Sequence, residues 1–135
     1  MTLVLLVDDD LLVADIVRAS LEPRGYVVGV VNDGVGVLNI VEFKRPSLVI
    51  LDCMMPIKPG MEVLREMRTS RRCYDTPVLM LTARASARDE SIAIGAGATE
   101  YLRKPVDPDK LVATVEALIG PASYDDSKAR SRARS

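Results

Sequence analysis

Five short runs rich in Val, Leu and Ile recur along this 135-residue chain, at Leu3–Val7, Tyr26–Val31, Leu48–Leu51, Pro77–Leu81 and Glu100–Arg103. Each has the length of a strand, and each gap between them is long enough to hold one helix. Strands joined by helix-length crossovers pair in parallel, because a parallel pair cannot be closed by a tight turn. The alternation therefore predicts an α/β fold built on a parallel sheet. One domain on the usual scale of roughly 100–200 residues accounts for the chain, leaving no room for a second catalytic or DNA-binding domain.

The segments between the runs carry helical spacing. Leu12, Val13, Ile16, Val17 and Leu21 fall on one stripe, with Asp10 placed to cap the first turn and Pro23-Arg24-Gly25 to stop the helix. Met61, Leu64 and Met67 mark the third helix; Leu111, Val112, Val115, Leu118 and Ile119 mark the last. Ser86 followed by Asp89 has capping-box spacing, and Gly97 supplies a stop for the fourth helix. A second helix is expected near Asp33–Phe43, although Gly34, Gly36, three valines and Asn39 all lower helix propensity there.

Composition narrows the chemistry. There is no histidine, which removes a Ser-His-Asp triad, a Cys-His pair, a His-ligated metal and a phosphohistidine carrier. The five aromatics, Tyr26, Phe43, Tyr74, Tyr101 and Tyr124, are too scattered to form a base-stacking platform. Cys53 and Cys73 form no CxxC pair and suit a reducing compartment. The apolar opening meets three aspartates after seven residues and has no basic flank, and no apolar run approaches the ~18 residues of a membrane span. A cytoplasmic protein without membrane contact is expected.

In an open parallel sheet the ligand site lies outside the carboxyl ends of the strands, so the residues that end the runs matter most. The first run ends in Asp8-Asp9-Asp10, the third in Asp52, the fourth in Thr82-Ala83 and the fifth in Lys104-Pro105. Singly each is ordinary, since an acid after a strand is usually a helix cap and Lys-Pro is usually a turn. Together they gather carboxylates, a hydroxyl and an ammonium at one edge. Crowded carboxylates need a hard cation, and oxygen ligands without His or Cys suit Mg²⁺ (or Mn²⁺). A metal and a fixed ammonium around one carboxylate would stabilise a transferring phosphoryl group, with Thr82 and the Ala83 N–H donating to its oxygens. A carboxylate nucleophile forming an aspartyl phosphate fits every part.

These pieces resemble the receiver domain of two-component response regulators, of the single-domain type found in chemotaxis. The resemblance covers residues 1–119. It rests on Leu5-Leu6-Val7-Asp8-Asp9-Asp10, on Asp52-Cys53-Met54-Met55-Pro56-Ile57-Lys58-Pro59-Gly60 as D-x-x-M-P-x-x-x-G, on Pro77 to Arg84, and on Gly97 to Pro105. It implies a flavodoxin-like, doubly wound (βα)5 sheet of strand order 2-1-3-4-5, with Asp52 as phosphoacceptor. It further implies Mg²⁺ held by Asp9, Asp52 and the Met54 carbonyl with Asp8 assisting, Lys104 as phosphoryl partner, and Thr82 with Tyr101 as a switch pair. A cis Lys104–Pro105 bond is expected, aiming the ammonium back at Asp52. The donor would be a histidine kinase or histidine phosphotransfer protein, and a downstream protein target would read the face built from the fourth helix, fifth strand and fifth helix. In that switch Thr82 is drawn inward, Tyr101 passes from an exposed to a buried rotamer, and hydrogen exchange changes most over residues 83–104.

Val106 follows Pro105, and Thr114 and Glu116 stand where transcription-factor members of the family carry basic residues, which leaves their dimer's charge pattern incomplete. A monomer or weak dimer, with no direct DNA binding, is therefore expected. Two rival readings are a binding module with a vestigial acidic pocket and a haloacid-dehalogenase-type phosphatase using Asp8 and Asp10. The phosphatase would need a Thr or Val where Leu12 stands, and an acidic pair found only as Asp107 and Asp109, beyond Pro105. Residues 120–135 read as a polar, Arg/Ser-rich tail or severed linker of charge +2, leaving −3 for the rest. Because the chain starts at Met1 and the tail continues past the last helix, a stand-alone regulator is the expectation.

Overall fold

The computed structural model describes residues 2–83 and 86–122. Arg84 of the fourth-run motif, Tyr124 and the Arg/Ser-rich tail from residue 123 onward lie outside the described residues. Five strands, β1 Leu3–Val7, β2 Val27–Val31, β3 Leu48–Asp52, β4 Val78–Thr82 and β5 Glu100–Arg103, alternate with α1 Leu11–Leu21, α2 Val37–Lys44, α3 Gly60–Thr69, α4 Ala87–Gly95 and α5 Pro108–Ile119. All pairings are parallel and the order is β2-β1-β3-β4-β5. This is the doubly wound sheet expected, with the order reversing between β1 and β3.

The three inner strands read as continuous apolar runs because both faces of the sheet are covered. Every residue of β3 and β4 is buried. Alternate side chains divide between two cores. Leu6, Ile50 and Leu79 pack with Val17 of α1 and Leu111 of α5, while Leu51 and Met80 pack with Val41 of α2 and Leu64 and Met67 of α3. Each such aliphatic contributes about 1.5–3 kcal/mol by leaving water.

Local chemistry sets the helix ends. The Asp10 carboxylate accepts from Leu12 N at 2.9 Å, Ser86 Oγ from Asp89 N at 3.0 Å, and Asp107 Oδ1 from Asp109 N at 3.0 Å, so three helices start on a side-chain cap. The Ser86 hydroxyl also donates to Asp89 Oδ2 at 2.7 Å, so that acid closes onto the serine side chain. Two expectations are corrected. The second helix begins only at Val37, because residues 32–36 form turns in which Gly36 takes φ +78°. Leu12 does not join the buried stripe of α1; it is 66% exposed, since the first turn overhangs the end of the sheet, and Ala14 fills the place beside Val13 and Val17.

Three contacts tie the opposite, amino end of the sheet. Val27 N donates to Thr2 O at 2.8 Å, and the Tyr26 hydroxyl donates to Gly120 O at 2.7 Å. The Arg68 guanidinium joins α3 to two loops, donating to the carbonyls of Gly97 at 2.8 Å, Tyr74 at 3.1 Å and Cys73 at 3.4 Å. Gly97 sits at φ +113° with its Cβ position only 2.7 Å from Arg68 Cγ, so both its conformation and its neighbour require glycine.

Candidate functional site

The carboxyl edge of the sheet collects the side chains that end four strands. Asp8 follows β1, and its N–H continues the ladder to Val31 O at 3.0 Å. Its Oδ1 accepts from Asp10 N at 2.9 Å. Asp52 closes β3, with Oδ1 accepting from Met54 N at 3.1 Å. Both carboxylates are buried, at 1% and 3% exposure, and Thr82 at the end of β4 is fully buried. Lys104 follows β5, is held beside β4 by its N–H to Thr82 O at 2.7 Å, and is joined to Pro105 by a cis bond. Its ammonium lies 3.0 Å from Asp8 Oδ2 and 3.4 Å from Asp52 Oδ2. Residues as distant in sequence as Asp8 and Lys104 are thus in contact because the switch in strand order sets β1, β3, β4 and β5 side by side.

The electrostatics follow from this crowding. Burial raises the Asp52 pKa above the ordinary aspartate value, the Met54 N–H lowers it, Asp8 raises it again, and Lys104 draws it back; the balance is upward. Burial lowers the Lys104 pKa, but the hydrogen bond and charge of Asp8 and the charge of Asp52 outweigh it and hold the ammonium above its usual value. Oxygens of Asp8, Asp9 and Asp52 lie within 4.8 Å of one another, Asp9 being the exposed one. The buried Asp8 Oδ2 accepts no well-directed hydrogen bond. Three carboxylates face one ammonium, and bonds of about 2.1 Å to a magnesium-sized ion would set its ligands up to about 4.2 Å apart, close to this spacing. The donor set fits a small hard cation.

Two features support the floor of the site. Gly60 starts α3 directly behind Asp52: a Cβ there would lie 2.0 Å from Asp52 O, so no larger residue fits. Ile57 adopts φ +70° in a γ-turn whose Pro56 O accepts from Lys58 N at 2.8 Å, which leaves Ile57 85% exposed at the rim. Leu11, Leu12 and Met54 extend this apolar rim at 72%, 66% and 54% exposure. The rim is not legible in the sequence, since periodicity alone assigns such residues to a core.

Other assigned residues divide. Asp10 caps α1 rather than joining the carboxylate cluster, so a D-x-D arrangement built from Asp8 and Asp10 has no support in the geometry. Ala83 is exposed next to Thr82. Tyr101 stands two residues along β5 from Arg103 but is only 7% exposed, packed in the α2–α3–α4 core. The outward rotamer expected before phosphorylation is therefore not the one present. Ala93 and Ala98 are small enough to leave room for the ring.

Comparison with known proteins agrees with this geometry. Residues 4–116 match the family model for the response regulator receiver domain. The response regulator MprA of Mycobacterium leprae is 41% identical over 124 residues, covering 92% of this chain and 54% of that protein. The chain thus spans about half the length of the curated relatives it matches. Among solved structures, the chemotaxis protein CheY4 of Vibrio cholerae superposes with a TM-score of 0.81 at 32% identity, covering 87% of this chain and 98% of that one. The receiver domain of the sensor histidine kinase PA1611 from Pseudomonas aeruginosa, which has a magnesium ion coordinated in its active-site cleft, superposes at 0.80 with 30% identity, covering 88% and 98%.

Proposed function

The chain belongs to the response regulator receiver domain family, and from that premise we propose that Asp52 accepts a phosphoryl group from a phosphohistidine on a histidine kinase or phosphotransfer protein. The observation that carries this reading is the Lys104 ammonium bridging Asp8 and Asp52 at 3.0 and 3.4 Å. A carboxylate oxygen of Asp52 attacks phosphorus as the P–N bond to the donor imidazole breaks, leaving an acyl phosphate on Asp52 and the imidazole on the donor. Lys104 meets the charge carried by the equatorial oxygens, and the Thr82 hydroxyl and Ala83 N–H donate to them. Asp9, Asp52 and the Met54 carbonyl, with Asp8 assisting, would hold Mg²⁺ or Mn²⁺. When bound, that ion offsets the carboxylate charge that burial makes costly.

The phosphoryl group then biases a pre-existing equilibrium. Thr82 and Tyr101 form the switch pair, and because the Tyr101 ring is already buried, phosphorylation acts by locking it inward through Thr82. The face of α4, β5 and α5 carries the signal to a downstream protein. Turnover is one phosphoryl group per chain followed by slow self-hydrolysis, and residues 1–119 form the receiver unit, with 120–135 a tail or linker.

Labelled acetyl phosphate with Mg²⁺ tests the assignment. The parent chain should take label at Asp52, and Asp52→Asn should take none; label persisting in that variant overturns the reading. Asp9→Asn should weaken Mg²⁺ binding first, because it removes a ligand oxygen and leaves the acceptor in place.

A further inference from the structure

The structure is charged unequally along its strands. Among the described residues, Lys44 and Arg45 at the end of α2 and Arg71 and Arg72 after α3 make no ion pair. The Ser70 hydroxyl donates to Glu42 Oε2 at 2.6 Å, which sets these two helix ends side by side at the amino edge of the sheet. The same end exposes Phe43 by 86% and Tyr74 by 59%, the former the only phenylalanine in the chain. Val37 and Val41 supply the buried contacts of α2, so the exposure of Phe43 serves no packing within the domain. Asp75 and Glu42, which keeps its charge while accepting from Ser70, set two carboxylates against these four cations, so the end remains net positive.

The opposite edge is acidic and aliphatic. Asp9 and Asp10 are exposed beside Leu11 and Leu12. A groove of about 350 Å³ opens between α1 and the β5–α5 loop; Leu12, Val13, Ile16, Pro105 and Val106 give it apolar walls, with Asp10 at its rim and Lys104, whose ammonium is paired with Asp8 and Asp52, at its inner end. We propose that the cationic, aromatic end of one copy docks against the acidic, aliphatic end of a second copy, so that the chain associates head to tail. Charge complementarity aligns the copies, and Phe43 supplies the apolar anchor of a small interface with an arginine rim. Because the two surfaces differ, the contact is heterologous and does not close on itself, so association grows by addition instead of stopping at a pair. Docking covers the carboxylate site, and association and phosphoryl transfer therefore exclude one another. Association needs only the two unlike ends, whereas its exclusion of phosphoryl transfer rests on Asp52 being the acceptor.

Sedimentation of the 135-residue chain from micromolar to millimolar concentration tests it. Mean mass should rise past the dimer at low salt and return to the monomer at high salt. Arg71→Glu/Arg72→Glu, which spoils one end, and Leu12→Lys, which spoils the other, should each stay monomeric alone while unfolding at the parent temperature. Mixed together they retain one good end each and should form a 1:1 pair and nothing larger. A parent chain that stays monomeric overturns the proposal. So does a Leu12→Lys variant that still dimerises by itself, which would mean that like ends pair. Mass gained only with co-purifying nucleic acid, read by absorbance, would assign the cationic end to a different class of ligand and overturn it as well.

Discussion

Tyr26 buries its ring at the head of β2 and gives its hydroxyl proton to Gly120 O, a bond that only the neutral phenol can make. Burial raises its pKa, and the nearby Glu116 carboxylate adds to the rise against Arg24. Burial likewise raises Tyr101. In both cases the unfolded chain loses its proton first, at the ordinary value of 10.0. Stability should then be level through neutral pH and fall as pH climbs above the ordinary tyrosine value. Tyr26→Phe should cost about 1 kcal/mol at neutral pH and remove part of that alkaline decline, as read by denaturant melts at several pH values. The same scale shows how residue identity serves the site. Asp8, Asp52, Thr82 and Lys104 each stand at a strand end, and a carboxylate two residues beyond Asp8, Asp10, becomes a helix cap instead.

At the scale of elements, Gly60 sets how closely α3 approaches β3. Gly60→Ala should cost about 1–3 kcal/mol by overpacking against the Asp52 carbonyl, and acetyl phosphate labelling should fall with it. Gly29→Ala is the control: its Cβ would meet Leu5 Cδ1 at an ordinary 3.5 Å, so stability and labelling should both hold. Arg68→Met should cost about 1.5–3 kcal/mol by freeing three carbonyls, and amide exchange should quicken over residues 73–76 and 96–99 while Asp52 stays reactive. The elements themselves were largely legible. The runs Leu3–Val7 and Glu100–Arg103 are β1 and β5 to the residue, those at β2 and β3 differ by one position at one end, and that at β4 is shifted by one position at both ends; an inner strand buried on both faces has no alternative to an apolar run. The α2 boundary was not legible, since the glycine turn that delays the helix depends on Gly34 packing against Lys58 O, far along the chain, where a Cβ would come within 2.6 Å. Nor was the inward rotamer of Tyr101, which depends on room left by Ala93 and Ala98.

For the whole molecule, the proposed switch connects an edge of the sheet to a face. A phosphoryl mimic should alter hydrogen exchange most over residues 83–104, with α1 and α2 little changed; protection confined to α1 and α2 would contradict that route. Tyr101→Ala should keep labelling at Asp52 and weaken binding of the downstream protein, as read by affinity for that protein with and without the mimic. The ties at the amino edge have a separate, practical consequence. Thr2 O is bonded to Val27 N and Gly120 O to the Tyr26 hydroxyl, so both ends of the folded unit rest against two consecutive residues. Such a unit can be spliced into a surface loop of an unrelated host without prying the loop open, and joining its ends by a short peptide leaves the α-to-β turns free to serve as new termini.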